Sequence, residues 1–140
     1  MEQTLCIIKP DAVKNLYVDE INKIIEENEL IVLKSKKIKI SKEIAESFYS
    51  EHSERPFFSE LVDFMTSDYS VVQVLKGENA VSNYRKLMGA TNPNEASEGT
   101  LRAKFAESLS KNAVHGSDSV ENAIKEINFL GVLILSEEIN

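Results

Sequence analysis

The sequence predicts an α+β fold: a four-stranded antiparallel sheet with helices packed on it and a long loop before the last strand. Three observations point there. The short apolar run T-L-C-I-I at 4–8 suits a central strand buried on both faces, and S-V-V-Q-V-L-K at 70–76 reads as another strand. Between and after them, apolar residues recur at i, i+3, i+4 and i+7, the spacing of helices with one buried side. No repeat, low-complexity tract or Pro/Gly/Ser-rich linker divides the 140 residues, so residues 1–140 read as a single domain.

The elements follow in order. The run at 4–8 stops at Lys9-Pro10-Asp11, where Pro10 suits the first turn of a helix because its missing N–H would find no partner there anyway. Ile21, Ile24 and Ile25 share a helical face with Asn28. Residues 30–40 read as a second strand. Its apolar phase moves from odd (Ile31, Leu33) to even (Ile38, Ile40), which predicts a bulge near Ser35–Lys37. Ser41 can cap a helix carrying Ile44, Ala45, Phe48 and Tyr49, and Phe58, Leu61, Val62 and Met65 mark the next.

After the strand at 70–76, Asn79 opens a helix with Val81, Tyr84 and Met88 inward, stopped at Gly89. Residues 90–112 show little periodicity and read as a long loop with one short helix at 102–109; loops of that length in compact domains usually carry function. A short strand ends at His115, and Val120, Ala123, Ile124 and Ile127 give the last apolar stripe. The order is that of a ferredoxin-like split β-α-β sandwich, with the helices expected on one face of the sheet.

Composition narrows the function. A net charge of −7 argues against a nucleic-acid partner, since a phosphate backbone rewards a basic surface. The apolar run at 129–135 is too short to span a bilayer, which predicts no membrane partner. With no secretory leader in view and one cysteine, Cys6, a reducing, cytoplasmic setting is expected. The glycine-rich phosphate loops, C-x-x-C and H-E-x-x-H are absent. Two histidines and one cysteine make poor material for a zinc site, so no protein-held metal is expected. Any cation would be Mg²⁺ riding on substrate phosphates.

What remains is a scattered set of anion-binding groups: Lys9, Arg85, Thr91, Arg102, Asn112 and His115. Lysine offers a point charge, arginine a planar fork, and threonine and asparagine neutral donors. The set suits a polyphosphate bearing a sugar. Taken singly each has an ordinary reading: Lys9 as a solvated strand end, Asn112 as a turn former, any one arginine as half of a surface pair. His115, directly before G-S-D-S, sits where a helix N-terminus would attract an anion. By residue type alone a catalytic role for it is the minority reading, against an ordinary turn residue.

The ordered blocks K-P-D-A-V at 9–13, R-P-F-F at 55–58, G-A-T-N-P at 89–93, E-G-T-L-R at 98–102 and N-A-V-H-G-S-D-S at 112–119 resemble the nucleoside diphosphate kinase family, from about Thr4 to Ile127. The resemblance implies ping-pong transfer of the γ-phosphate of a nucleoside triphosphate, typically ATP, to a nucleoside diphosphate through a phosphohistidine on His115. It also implies phosphorylation at Nδ1, with Nε2–H held by a backbone carbonyl, that of Gly116, and with Ser117 and Glu126 supporting the ring. Arg85, Thr91 and Arg102 would hold the β- and γ-phosphates. Lys9 and Asn112 would reach the ribose 3′-hydroxyl, Tyr49 would touch Lys9 and the phosphate, and Phe57 would stack on the base opposite Leu109.

Mg²⁺ and a homo-oligomer, tetramer or hexamer, are the family's expected companions. Helical spacing alone leaves Glu126 on the flank of its helix, a solvated residue. Asn15-Leu16 stand where the family commonly has Arg-Gly, Ala103-Lys104 depart after Arg102, and the tail at 132–140 departs as well. The rival readings are a non-catalytic nucleotide-binding module and a histidine-phosphorylated relay protein on the same fold. Arg55 is taken to fix the turn before Phe57.

Overall fold

A computed structural model describes the backbone of residues 1–139 and the side chains through Gly131; the divergent tail at 132–140 lies outside the described side chains. The order is β1 (Glu2–Ile8), α1 (Pro10–Lys14), α2 (Val18–Glu27), β2 (Ile31–Ile38), α3 (Lys42–Phe48), α4 (Phe58–Met65), β3 (Ser70–Gly77), α5 (Ala80–Met88), α6 (Leu101–Phe105), β4 (Val114–Gly116) and α7 (Val120–Ile139), with 3₁₀ turns at Ser50–His52 and Pro93–Glu95. The four strands form one antiparallel sheet in the order β2-β3-β1-β4.

The apolar runs lie at the centre because both of their faces are covered. Cys6 and Ile8 of β1 pack under α2 and α5 with Ile21, Ile25, Tyr84 and Met88. Leu5 and Ile7 pack on the other side with Ala45, Val62, Met65 and Leu130. Each fully buried Leu or Ile contributes roughly 1.5–3 kcal/mol. Helices therefore cover both faces of the sheet, not one: β1 and β3 are buried along most of their length on both sides. One polar seam crosses the α2 side, where the amides of Gln73 and Asn22 exchange two hydrogen bonds of 2.9 Å.

Three boundaries differ from expectation. The β2 bulge is at Leu33, where the pairing with β3 slips between Val32 and Lys34, two residues before the predicted place. A change of apolar phase shows that a residue is inserted but not which one. The short helix in the long loop is Leu101–Phe105 rather than 102–109. The last strand runs one residue past His115.

The face of α7 also differs. Val120 and Ile124 are half exposed, whereas Ala123 and Leu130 are buried. The helix is rotated so that the 123–126–130 edge meets the sheet, which brings Glu126 inward. Among the described residues no helix is long and apolar enough to cross a membrane.

Candidate active site

His115 sits in the middle of β4, paired with Ile7 at the C-terminal end of β1. It is not at a helix N-terminus: α7 begins five residues later, capped by Ser119, whose hydroxyl accepts from Asn122 N–H at 3.1 Å. Gly116 beneath it has a steric reason. A Cβ there would stand 2.6 Å from Met88 Cε and 2.8 Å from the Tyr84 ring, so only glycine lets β4 settle onto α5.

The imidazole is held from two sides. Its Nε2 lies 3.1 Å from Glu126 Oε1, and the same oxygen accepts 2.7 Å from Ser117 Oγ–H. A carboxylate oxygen accepts, so in a neutral ring this contact favours the tautomer with its proton on Nε2 and its lone pair on Nδ1. The partner of Nε2 is thus a carboxylate, not the Gly116 carbonyl. Ser117 is fully buried and also accepts from Leu5 N–H at 3.3 Å, which ties the pair to β1. Phe48 presents an aromatic contact at 5.4 Å and 71° to the imidazole, a partner that the sequence showed only as part of an amphipathic helix face.

Lys9 ends β1 almost fully buried, and its Nζ donates to Asn112 Oδ1 at 2.8 Å. Asn112 Nδ2 in turn donates to the Thr91 carbonyl at 3.3 Å. Burial, and then the charge of Arg102, push the Lys9 ammonium down to about 8, against the opposing pull of Asp11. Arg102 is buried too: Nη1 donates to Gly89 O at 3.1 Å and Nη2 to Val114 O at 3.0 Å, and its Nε has no partner among the described residues. Burial lowers its pKa, and nearby Arg85 lowers it further. Three cations, Lys9, Arg85 and Arg102, thus lie close enough for Arg102 to act on Lys9 and Arg85 on Arg102, with Asp11 the acid that offsets the charge of Lys9. That arrangement is costly in itself and suits a polyanion.

Gly89, at φ 85°, makes room for this corner; a Cβ would stand 2.5 Å from Thr100 Oγ1, the hydroxyl that caps α6 and so aims Arg102. Tyr49 is buried with its hydroxyl unpartnered among the described residues, and burial followed by the charge of Glu126 pushes its pKa up. It does not hydrogen-bond Lys9, whose ammonium goes to Asn112. Phe57 and Leu109 stand apart from the bonded set, 46% and 60% exposed; the Phe57 ring meets His52 at 5.6 Å.

A second group, unassigned from sequence, joins the first. Val114 N–H donates to Asn112 O at 2.8 Å across Ala113, whose φ is 72°. This is a γ-turn of the strained, positive-φ kind, costing on the order of 1–3 kcal/mol for a residue with a Cβ. Asp11 Oδ2 accepts from Ala113 N–H at 3.1 Å, and Lys9 N–H donates to Ala113 O at 2.8 Å. An alanine carries no sequence signal for such a turn. Among the described residues no three His, Cys, Asp or Glu side chains gather as a metal cage.

A family model described as nucleoside diphosphate kinase matches residues 2–131. A nucleoside diphosphate kinase of Campylobacter curvus is 62% identical over 129 residues, 92% of this chain and 94% of that relative. One from Wolbachia of Drosophila simulans is 57% identical over 92% of this chain and 93% of its own length. Among solved structures, the apo nucleoside diphosphate kinase of Encephalitozoon cuniculi superposes with a TM-score of 0.89 at 46% identity, covering 92% of this chain and 88% of that one. The Aquifex aeolicus enzyme superposes at 0.87 and 41%, covering 92% and 94%.

Proposed function

The chain belongs to the nucleoside diphosphate kinase family, a phosphotransferase family acting on nucleotides, and from that premise we propose that His115 carries the phosphoryl group in transit. In the first half-reaction Nδ1 attacks the γ-phosphorus; the N–P bond forms, the bond to the β–γ bridging oxygen breaks, and the diphosphate leaves. In the second, a terminal phosphate oxygen of another nucleoside diphosphate attacks the phosphohistidine and returns the electron pair to Nδ1. The observation that supports this reading is the 3.1 Å contact between His115 Nε2 and Glu126, which favours the tautomer with its lone pair on Nδ1.

The other roles follow from the donors available. Arg85, Thr91 and Arg102 hold the β- and γ-phosphates, Arg102 through the donor capacity left after Gly89 and Val114. Lys9 and Asn112, already bonded, offer an ammonium and an amide to the transferring phosphoryl and the ribose 3′-hydroxyl. Tyr49, buried with its hydroxyl unpartnered among the described residues, is the remaining hydroxyl donor beside the site for a phosphate oxygen. Phe57 supplies a half-exposed ring for the base, with Leu109 opposite. Stacking tolerates every base, so broad nucleoside specificity is expected. Mg²⁺ suits a site whose donors are cationic or neutral: it would arrive on the phosphates, where it spreads their charge.

The reading takes 1–140 as one domain in the cytoplasm, in keeping with a single, buried cysteine. It also takes a homo-oligomer, tetramer or hexamer. At the start of the edge strand β2, Ile31 is 52% and Leu33 44% exposed, apolar surface that a second copy would cover. Light scattering at 15.7 kDa would refute assembly.

The test of the site is a coupled assay for GTP from ATP and GDP. The parent chain should turn over and His115→Ala should not. Retention of more than a few per cent of the rate in His115→Ala would reject the proposal.

A further inference from the structure

The K-P-D corner touches the site at a point that the phosphate-binding roles leave unused. Asp11 stands in the first turn of α1, where an exposed acid would favour the helix N-terminus. Here the side chain is instead 7% exposed, and burial raises its pKa. A carboxylate kept in so unfavourable a place asks for a partner that needs it. Oδ2 accepts from the N–H of Ala113 at 3.1 Å, the Lys9 charge also favours the ionised form, and buried Oδ1 has no partner among the described residues. The opposite side of Ala113 is tied to the same corner by Lys9 N–H to Ala113 O, 2.8 Å.

Ala113 is the central residue of the γ-turn and lies between Asn112, which holds Lys9 Nζ, and Val114-His115 of β4. At φ 72° an alanine will not hold this shape on its own. Relaxation of the turn would rotate the peptides on both sides of it and move the amide of Asn112 relative to the imidazole of His115. Pro10, with its fixed φ, makes the corner that bears both clamping groups stiff.

We propose that Asp11 is a positioning residue for phosphoryl transfer: it clamps the strained turn at Ala113 and thereby sets the distance between the Lys9–Asn112 pair and His115. The proposal rests on His115 as phosphate carrier. Asp11 itself touches no substrate.

The test uses the turn as its own control. Asp11→Ala should lower kcat at least tenfold while KM for the nucleoside diphosphate stays within threefold. Glycine adopts positive φ freely, so Ala113→Gly in the Asp11→Ala background should recover at least fivefold of the loss. Urea unfolding of the parent, Asp11→Ala, Ala113→Gly and the double variant should show a smaller loss from Asp11→Ala when residue 113 is glycine. An Asp11→Ala chain with parental kcat, a double variant as slow as the single one, or equal unfolding losses in both backgrounds would overturn the clamp. If Asp11→Ala does not fold, Asp11→Asn keeps the acceptor and carries the comparison, assayed at pH 6.5 where Lys9 stays protonated. It should transfer within threefold of the parent, and a deeper loss overturns the proposal. A parent chain labelled on a residue other than His115 would reject the carrier reading, while the unfolding comparison would still judge the clamp.

Discussion

His115 of β4 and Glu126 of α7 stand eleven residues apart in sequence and meet at 3.1 Å, Nε2 to Oε1, with Ser117 Oγ donating to that same oxygen at 2.7 Å. One carboxylate oxygen therefore holds the imidazole ring and favours one tautomer, and is itself fixed by a buried hydroxyl.

Removing that oxygen should cost catalysis more than binding. Glu126→Ala should slow phosphorylation of His115 roughly 10- to 100-fold, the usual loss when an outer hydrogen-bonding partner is removed. Glu126→Gln, which retains an acceptor, should lose less. Single-turnover kinetics with ATP measure this, and an unchanged Glu126→Ala rate would show that the ring needs no such support.

Lys9 sets a pH limit. Burial holds its ammonium at about 8, below the ordinary 10.5, so the folded chain binds fewer protons than the unfolded chain between those values. The stability cost of the buried charge, on the order of 3 kcal/mol, is therefore full below pH 8 and fades as pH rises toward 10.5. Activity moves the other way, because the phosphate needs the charge. The kcat/KM profile should fall on its alkaline side with an apparent pKa near 8. A plateau extending to pH 10 would contradict this.

The two loop-side arginines should separate by stability. Arg85 is exposed, so Arg85→Ala should cost about 1.5–3 kcal/mol of phosphate binding or transfer and leave Tm unchanged. Arg102 also holds Gly89 O and Val114 O, so Arg102→Ala should lose both activity and several degrees of Tm. Arg55, exposed, should matter least. An Arg55→Ala loss equal to that of Arg85→Ala would overturn these assignments.

Leu16, 85% exposed at φ 64°, occupies a left-handed position that glycine would take without strain. Leu16→Gly should stabilise the chain by about 0.5–1 kcal/mol, the strain relieved less the entropy glycine loses on folding. Urea unfolding would contradict this if the variant's midpoint fell.

Much of this was legible before the fold was known, and the exceptions have physical causes. The strand at 4–8 declared itself because burial on both faces favours an apolar run, and the one at 70–76 through its valines and Leu75, although buried Gln73 interrupts it. The same cause put helices on both faces, which the order of elements did not reveal. The α7 stripe misled because Val120 and Ile124 repeat at helical spacing yet face outward, while small Ala123 lets the helix approach and turns Glu126 toward His115. Lys9, Asn112 and Arg102 were visible as residue types but not as buried ones, since burial of a charge is decided by distant partners. Asp11 and Phe48 were in plain sight, and only the register of β1 with β4 and the contact at α3 give them their work.

The central claim is that His115 is the phosphate carrier, and covalent labelling tests it most directly. With γ-labelled ATP and Mg²⁺ but no acceptor, each subunit should take up about one phosphate, stable to alkali and lost in acid, and GDP should discharge it. His52→Ala should label like the parent, and His115→Ala should take up none while keeping its fold. Label persisting in folded His115→Ala, or found on Ser117 or Ser119, would contradict the mechanism.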